Sequence, residues 1–506
     1  MRKGEQAARD YFPVALAVAF FALNLWSALN HAMWRDEWAA WLSARGSATF
    51  PDLIAAIRYT GRGWFSWFGF AWLVKHLGYD PWLLKICHVL ISTATVYLFA
   101  RFSPFTRLQV GLFAFGYFPF YEYGTILRDY GYTLFLATVG CILLVSPRRR
   151  PLAFGVTLAL LFQSHPFGLI LGCALGATYL FDLWRTRSDS SRVCPRKELF
   201  TGLGLAGASL VAGVIMMNPP AEMFGMIFGQ GQQDTPLGAR FLQSLPFPWR
   251  GWFPVPAFGG WNSNIFDSWP WLQTALWLAV FCFVVAAFWR RPTALFFLCV
   301  GMLGVGAALC HMPWMPVRYH GTYFVVLILG FWMALSPPAA ADEPPPATGF
   351  LDRMRQYQQP FLVVLLAIHV VPSVVFTAQE RLLPFSGSKE AVEIIKRNAP
   401  ADVPVVADPD YTAACISGYL NRPVYIASRR EYNTYTIVDA KRKPFAVGAG
   451  ELLKAAYDLM AVEKRDVIGV TSYRAAFPPG VVDQLGVARS TVDEEYYVFR
   501  IKYPGR

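Results

Sequence analysis

The sequence predicts a polytopic α-helical membrane protein with a small soluble α/β domain at its C-terminus. Three observations lead there. The 506 residues are 55% hydrophobic and only 15% charged, against about 25% charged in an average soluble domain. Soluble cores stop growing near ~250–300 residues, so one core cannot hide that much apolar surface. The apolar residues fall in runs suited to a bilayer, which needs roughly 20 residues to cross about 30 Å of hydrocarbon. The 18 Trp, 23 Tyr and 41 Phe suit a chain whose rings settle at membrane interfaces. A soluble enzyme of one or two domains, a disordered chain and a fibrous chain are all excluded.

The runs lie at 12–30, 83–101, 107–122, 130–146, 151–165, 166–184, 199–217, 270–289, 293–310, 320–336 and 360–378. They predict about eleven spans. The first is too long, and too weakly followed by small residues, for a removed signal peptide, so it is a retained helix. The run 63–77 is short and carries Lys75 and His76, which favours a helix lying at the interface. Arg148-Arg149-Arg150, Arg185 to Lys197, and Arg290-Arg291 cluster in short loops, the pattern expected of cytoplasmic loops. That register puts the N-terminus inside and the C-terminus outside. The net charge of +12 therefore belongs to membrane topology, and no nucleic-acid partner is expected.

Residues 1–378 thus form the membrane unit, with outer loops at 31–82 and 218–269, and residues 379–506 an outer soluble domain. Pro337 to Pro346 is Pro- and Ala-rich and reads as a cytoplasmic linker. No internal repeat stands out, which weighs against transporters built from inverted halves. In the tail, 389–398 has helical periodicity and 403–407 is a short buried-type strand. A helix at 411–420, a strand at 423–427, a helix near 450–464 and strands at 466–471 and 496–502 follow, an alternation that suggests an open sheet with covering helices. Seven of the eight Cys lie in or beside apolar spans or in a basic loop, and only Cys415 falls in the tail. No CxxC or metal-ligand spacing occurs, so neither a disulfide framework nor a structural zinc is expected.

Three motifs carry chemistry. Trp34-Arg35-Asp36-Glu37-Trp38 follows the first span directly. Adjacent carboxylates at a membrane surface are desolvated enough for tuned basicity, with Arg35 helping to keep one ionised. One of them can serve as general base on a hydroxyl; the plainer reading is a charged stop to a helix. Glu122-Tyr123-Gly124-Thr125-Ile126-Leu127-Arg128-Asp129-Tyr130 falls on the same outer face in this topology. Arg128 beside Asp129 reads equally as a structural ion pair. Pro313-Trp314-Met315-Pro316-Val317-Arg318-Tyr319-His320 sits at an outer mouth. Arg318 with His320 suits an anionic phosphate, since a guanidinium offers a bidentate fork. A lone Arg at a span end also serves as an interface anchor. His31, Arg58, Arg62, Lys75, His76 and His165 are further basic groups on that face, each read individually as structural.

A helix followed by an outward loop opening on an Asp-Glu pair resembles the GT-C superfamily of polytopic glycosyltransferases. The nearer comparison is the clan of protein O-mannosyltransferases and the lipid A aminoarabinose transferase. Trp34–Leu42 followed by Ile57–Trp67 is similar to that clan's first outer loop, and Glu122–Tyr130 occupies the place of its second acidic loop. Gly61-Arg62-Gly63-Trp64 stands where many relatives carry a His-Pro-Pro-type stretch.

The resemblance implies a donor sugar on a polyprenyl phosphate and a hydroxyl acceptor on an envelope lipid, a polysaccharide or a protein. Asp36 would act as general base with inversion at the anomeric carbon, and Glu37 and Asp129 would position the acceptor or the cations. Arg128, Arg318 and His320 would hold the phosphate, and Arg58, Tyr59, Arg62, Glu122 and Tyr130 would contact sugar or acceptor. No cofactor is required; a magnesium or manganese ion on Asp36, Glu122 and Asp129 is compatible with hard carboxylate ligands. The setting expected is a bacterial inner membrane with a periplasmic active site. Two rivals are a transporter or flippase of a lipid-linked substrate, which predicts charges along the span centres, and a non-catalytic scaffold displaying the tail domain.

Overall fold

The computed structural model describes residues 11–187, 194–218, 235–257, 260–311, 316–337, 349–439, 442–443 and 445–504. Pro313, Trp314 and Met315 of the third motif, most of the 337–346 linker and residues 219–234 of the second outer loop lie outside them. The chain enters on α1 (Phe12–Asn30) and crosses the first outer loop as α2 (Arg35–Gly46), α3 (Phe50–Ile57) and α4 (Trp67–Val74). It continues through α5 (Pro81–Phe102), α6 (Arg107–Ala114), a π-helical turn (Tyr117–Thr125), α7 (Asp129–Val145), α8 (Pro151–Ser164), α9 (Pro166–Arg185) and α10 (Arg196–Met217). Then come α11 (Leu237–Ser244), α12 (Phe247–Trp252), α13 (Pro270–Phe288), α14 (Pro292–His311), α15 (Val317–Leu335), α16 (Phe350–Met354) and α17 (Gln358–Leu382). Pro in the first turn of α1, α5, α8, α9 and α13 marks where each helix starts, since its missing N–H is no loss there.

Among the described residues, seven helices are long and apolar enough to cross a membrane: α1, α5, α9, α10, α13, α14 and α17 with the turn before it. The chain is a multi-pass membrane protein, with fewer full-length spans than the eleven expected. The other four runs are helical, but each departs for a visible reason. The run 107–122 breaks after α6, and the wider π-helical turn that follows contains Pro119, which withholds an amide from the α-helical ladder. Helices α7 and α8 have 17 and 14 residues, short of a bilayer's thickness. Helix α15 opens on Arg318 and His320 and is buried on nearly every side. At eight residues, α4 reaches only about 12 Å, consistent with an interfacial helix. Leu303 on α14 is 74% exposed and Ile215 on α10 69%; such apolar faces belong against lipid. Helices α8 and α10 meet so closely that a Cβ on Gly155 would strike the Gly202 backbone and one on Gly202 the backbone of Pro151, the small-residue contact typical of membrane helices.

The tail adds α18 (Ser388–Asn398), β1 (Val405–Asp408), α19 (Asp410–Leu420), β2 (Val424–Ile426), β3 (Glu431–Asn433), α20 (Ala449–Glu463), β4 (Val467–Thr471), β5 (Val482–Ala488) and β6 (Tyr496–Ile501). The sheet order is β3-β2-β1-β4-β6-β5. β1 runs parallel to β2 and β4, and the remaining pairs are antiparallel. Alternation splits β1 between two layers: Val405 and Ala407 pack with α18 and α19, while Val406 packs with α20. β3 and β5 were not anticipated. β5 is half exposed and bulges between Gln484 and Gly486, so it lacks the alternation that betrays a strand.

This domain is docked on the membrane unit. Trp38 and Trp41 of α2 belong to the same core as Ala413, Ile416, Val405 and Val470. Gly418 of α19 has no side chain because the Trp38 indole fills that space, and Tyr419 meets the same indole edge-on at 4.8 Å.

Candidate active site

The site is built where α1 ends. Residues 31–34 run extended, and α2 starts with Trp34 as its N-cap, φ −104° and ψ 179°. Glu37 closes the capping box: it accepts from the Trp34 N–H at 2.9 Å and from the Leu127 N–H at 2.7 Å. Its side chain is fully buried. Consecutive residues on a helix point about 100° apart, since 3.6 make a turn. With Glu37 turned inward, Asp36 is turned toward three guanidinium groups.

Asp36 forms an ion pair with Arg128, from the turn before α7, and lies 3.7 Å from Nη2 of Arg318, in the first turn of α15. Burial works against a charged Asp36. Arg128 first, then Arg318, Arg35 and Arg62, outweigh it and hold the carboxyl far below the usual carboxylate range. The side chain nevertheless stays 37% exposed, so the cluster opens outward. Arg62 adds the third guanidinium, 2.5 Å from Asp129.

Arg318 is the unusual member. Its guanidinium lies 4.9 Å from the Trp34 ring centre, 5.5 Å from Trp261 and 5.4 Å from Tyr319. The side chain is only 10% exposed, yet its Nε and Nη1 meet no acceptor among the described residues. A buried donor without a partner is costly, and two on a permanent cation specify an anion. On another face of α15, the helices α11, α13, α14 and α15 line an apolar cavity of about 570 Å³ with Phe241, Trp277, Phe281, Met302, Leu303 and Tyr323. Tyr323 is five residues beyond Arg318, about 7.5 Å along the helix but about 140° round it, so the cavity does not share the Arg318 face.

Tyr130 joins the cluster, its hydroxyl 3.3 Å from His165 Nε2 and its ring 5.8 Å from the Arg128 guanidinium. The remaining expected residues lie elsewhere. Glu37 is sealed in a second network. His320, two residues from Arg318 and so about 200° round the helix, stacks on Phe247 at 4.2 Å with neither ring nitrogen bonded among the described residues; it does not share a phosphate clamp with Arg318. Glu122 is buried and accepts from Tyr117 at 2.8 Å and from the Trp261 indole at 3.1 Å, so it orients a ring that lies against Arg318. Arg58 is exposed, with its guanidinium over Tyr59, and neither bonds into the cluster. Asp36, Glu122 and Asp129 are each held by different partners, and among the described residues no three His, Cys, Asp or Glu gather as a metal-ligand set.

The second network is saturated. His31 donates at 3.0 Å to Glu37 and at 2.9 Å to Glu380, and Tyr121 donates at 2.6 Å to Glu380. Burial opposes a charge on His31, but Glu380 and Glu37 raise it to about 10. Glu380 and Trp261 escaped the sequence reading. Glu380 had a usable signal as the lone carboxylate in the long apolar helix α17.

No family model and no curated protein matches the chain. Solved structures similar to it include two of one protein. One is ArnT from Cupriavidus metallidurans bound to undecaprenyl phosphate, with 12% identity and a TM-score of 0.46. The other is the same protein in the apo state, with 11% identity and a TM-score of 0.47. Each comparison covers 96% of this chain and 97% of the other.

Proposed function

We propose that the chain is an integral-membrane glycosyltransferase, moving a sugar from a polyprenyl-phosphate donor to a hydroxyl acceptor on the outer face of a bacterial inner membrane. The observation that carries this reading is Arg318: a buried guanidinium with two unused donors, beside a partly exposed carboxylate. A donor phosphate supplies the acceptors that this guanidinium lacks, and the aromatic rings around Arg318 offer faces on which a sugar can stack.

The ion pairs suggest the order of events. With no donor bound, Asp36 is a poor base because Arg128 and Arg318 stabilise its charge. When a donor phosphate docks, those guanidiniums turn to it and Asp36 regains basicity. Asp36 then takes the proton of the acceptor hydroxyl, and the freed oxygen attacks the anomeric carbon on the face opposite the phosphate. The bond from that carbon to the phosphate oxygen breaks, configuration inverts, and the electron pair leaves on the phosphate. Arg128 and Arg318 neutralise its growing charge. Arg62 with Asp129, and Tyr130 with His165, form the wall from which the acceptor approaches.

The test is donor consumption by detergent-purified protein over a panel of polyprenyl-phosphate sugars, for wild type, Asp36→Asn and Arg318→Ala. Turnover of one donor, lost in Asp36→Asn while donor binding persists, supports the reading. Equal turnover by Asp36→Asn removes the base. Reporter fusions at residues 150, 250 and 450 should read in, out and out, and a cytoplasmic 250 would overturn the placing of the second loop on the same outer face as Asp36.

A further inference from the structure

The outer domain reaches back to the residue beside Asp36. The loop joining β5 to β6 carries Asp493 and Glu494. Glu494 Oε1 accepts the Arg35 backbone N–H at 3.0 Å and lies 3.7 Å from the Arg35 guanidinium, which also meets Asp493 at 2.9 Å. Glu494 is fully buried. Its other oxygen accepts from Ser386 at 2.6 Å. The loop is pinned to the segment leaving α17 by Thr491 N–H to Pro384 O at 2.9 Å and Gly387 N–H to Glu494 O at 3.1 Å.

The same helix therefore grips the start of α2 on both sides of Asp36. Glu380, at its end, holds His31 and through it Glu37; the segment beyond holds Glu494 and through it Arg35. The second grip also has a chemical effect. Arg35 is the sequence neighbour of Asp36 and one of the cations that suppress its basicity. Asp493, Glu494 and the rings of Trp34 and Tyr411 hold its guanidinium at the edge of the cluster.

We infer that Glu494 is a positioning residue for Asp36, and that the C-terminal domain serves the reaction by clamping Arg35. The inference rests on the transferase reading for its kinetics, but the clamp itself is testable without turnover. The variants are Glu494→Ala, which removes the acceptor, and Glu494→Gln, whose amide oxygen still accepts the Arg35 N–H. In full-length protein in detergent, hydrogen exchange of a peptide spanning residues 33–38 should quicken in Glu494→Ala and stay near wild type in Glu494→Gln, because only the first frees a helix-start amide.

With an active donor, kcat for Glu494→Ala should fall by about tenfold to a hundredfold, the scale of a small misplacement of a reacting group. KM for the donor should be unchanged, since Arg128 and Arg318 are untouched, and Glu494→Gln should restore most of kcat. Unchanged exchange in Glu494→Ala overturns the clamp, whatever the fate of the transferase reading. Faster exchange with undiminished kcat, a loss confined to KM, or no rescue by Glu494→Gln overturns the positioning role. If no donor is turned over by wild type, the transferase reading fails and the exchange data alone decide the clamp.

Discussion

Asp36 and Glu37 are neighbours in the chain and opposites in the fold. Glu37 belongs to a buried network in which both nitrogens of His31, both oxygens of Glu37 and both oxygens of Glu380 are engaged. Asp36, whose side chain stays 37% exposed, belongs to a cluster that includes a guanidinium with two unused donors. Both sets mix acids and bases, and both are largely sheltered from solvent. What separates them is satisfaction. A saturated network holds a shape, because moving any member strands a buried charge. An unsaturated one has somewhere to put a ligand.

The contrast yields predictions that can break it. The largest effect belongs to Asp36. Asp36→Asn should cut kcat by about 10²–10⁴, the usual contribution of a positioned general base, with a smaller loss of thermal stability in detergent than Glu37→Ala, because its amide oxygen still accepts from Arg128. A loss of stability as large as that of Glu37→Ala would mean that this cluster is as structural as the other. Glu37→Ala should do the reverse, destabilising the fold by about 3–5 kcal/mol, because it leaves His31 buried with half its compensation. Denaturant titration in detergent reads this, and a fold as stable as wild type would erase the distinction.

Arg318→Lys sharpens the comparison. It keeps the charge but loses the fork, and removing one such donor typically costs about 10²–10³ in kcat; donor turnover with full wild-type kcat would mean the unused donors serve nothing. The smallest effect is on pH. His31 is raised in the fold, so its stabilisation is complete below the ordinary histidine range near 6.5 and is lost as pH rises through about 10. Melting temperature should therefore hold below about pH 6.5, decline from there to about pH 10 and level off beyond, and His31→Gln should remove that decline. Glu37, Glu380, Tyr121 and the Lys85 ammonium, which bonds the His31 carbonyl at 2.9 Å, all face this site. A decline that persists in His31→Gln would assign it to one of them.

Much of the fold was legible in the sequence for a local reason. Hydropathy over about 20 residues is set by composition alone, so each expected run became helical; the failures came where length, breaks and charged openings mattered, at α6, α7, α8 and α15. The tail's helices and buried strands were legible from periodicity, whereas β5 depends on its partner β6 for its identity. The WRDEW motif likewise marked the loop where the ion pairs gather, since a carboxylate pair at a span end is visible without any contact.

What the tertiary structure decided is which of two adjacent residues does what. A shift of one residue turns a side chain about 100°, and a shift of two about 200°. Asp36 faces the guanidiniums while Glu37 does not, and Arg318 faces them while His320 stacks on Phe247. Neither choice is written in composition or spacing. It follows from which face the Glu37 cap and the packing of α15 turn inward. The partners that make those choices lie far along the chain. Glu380 stands 349 residues from His31, and Glu494 stands 459 from Arg35. Such separations are closed only when the bundle packs and the outer domain docks, because the entropy of joining distant segments is repaid by burial across the whole fold and not by any local preference.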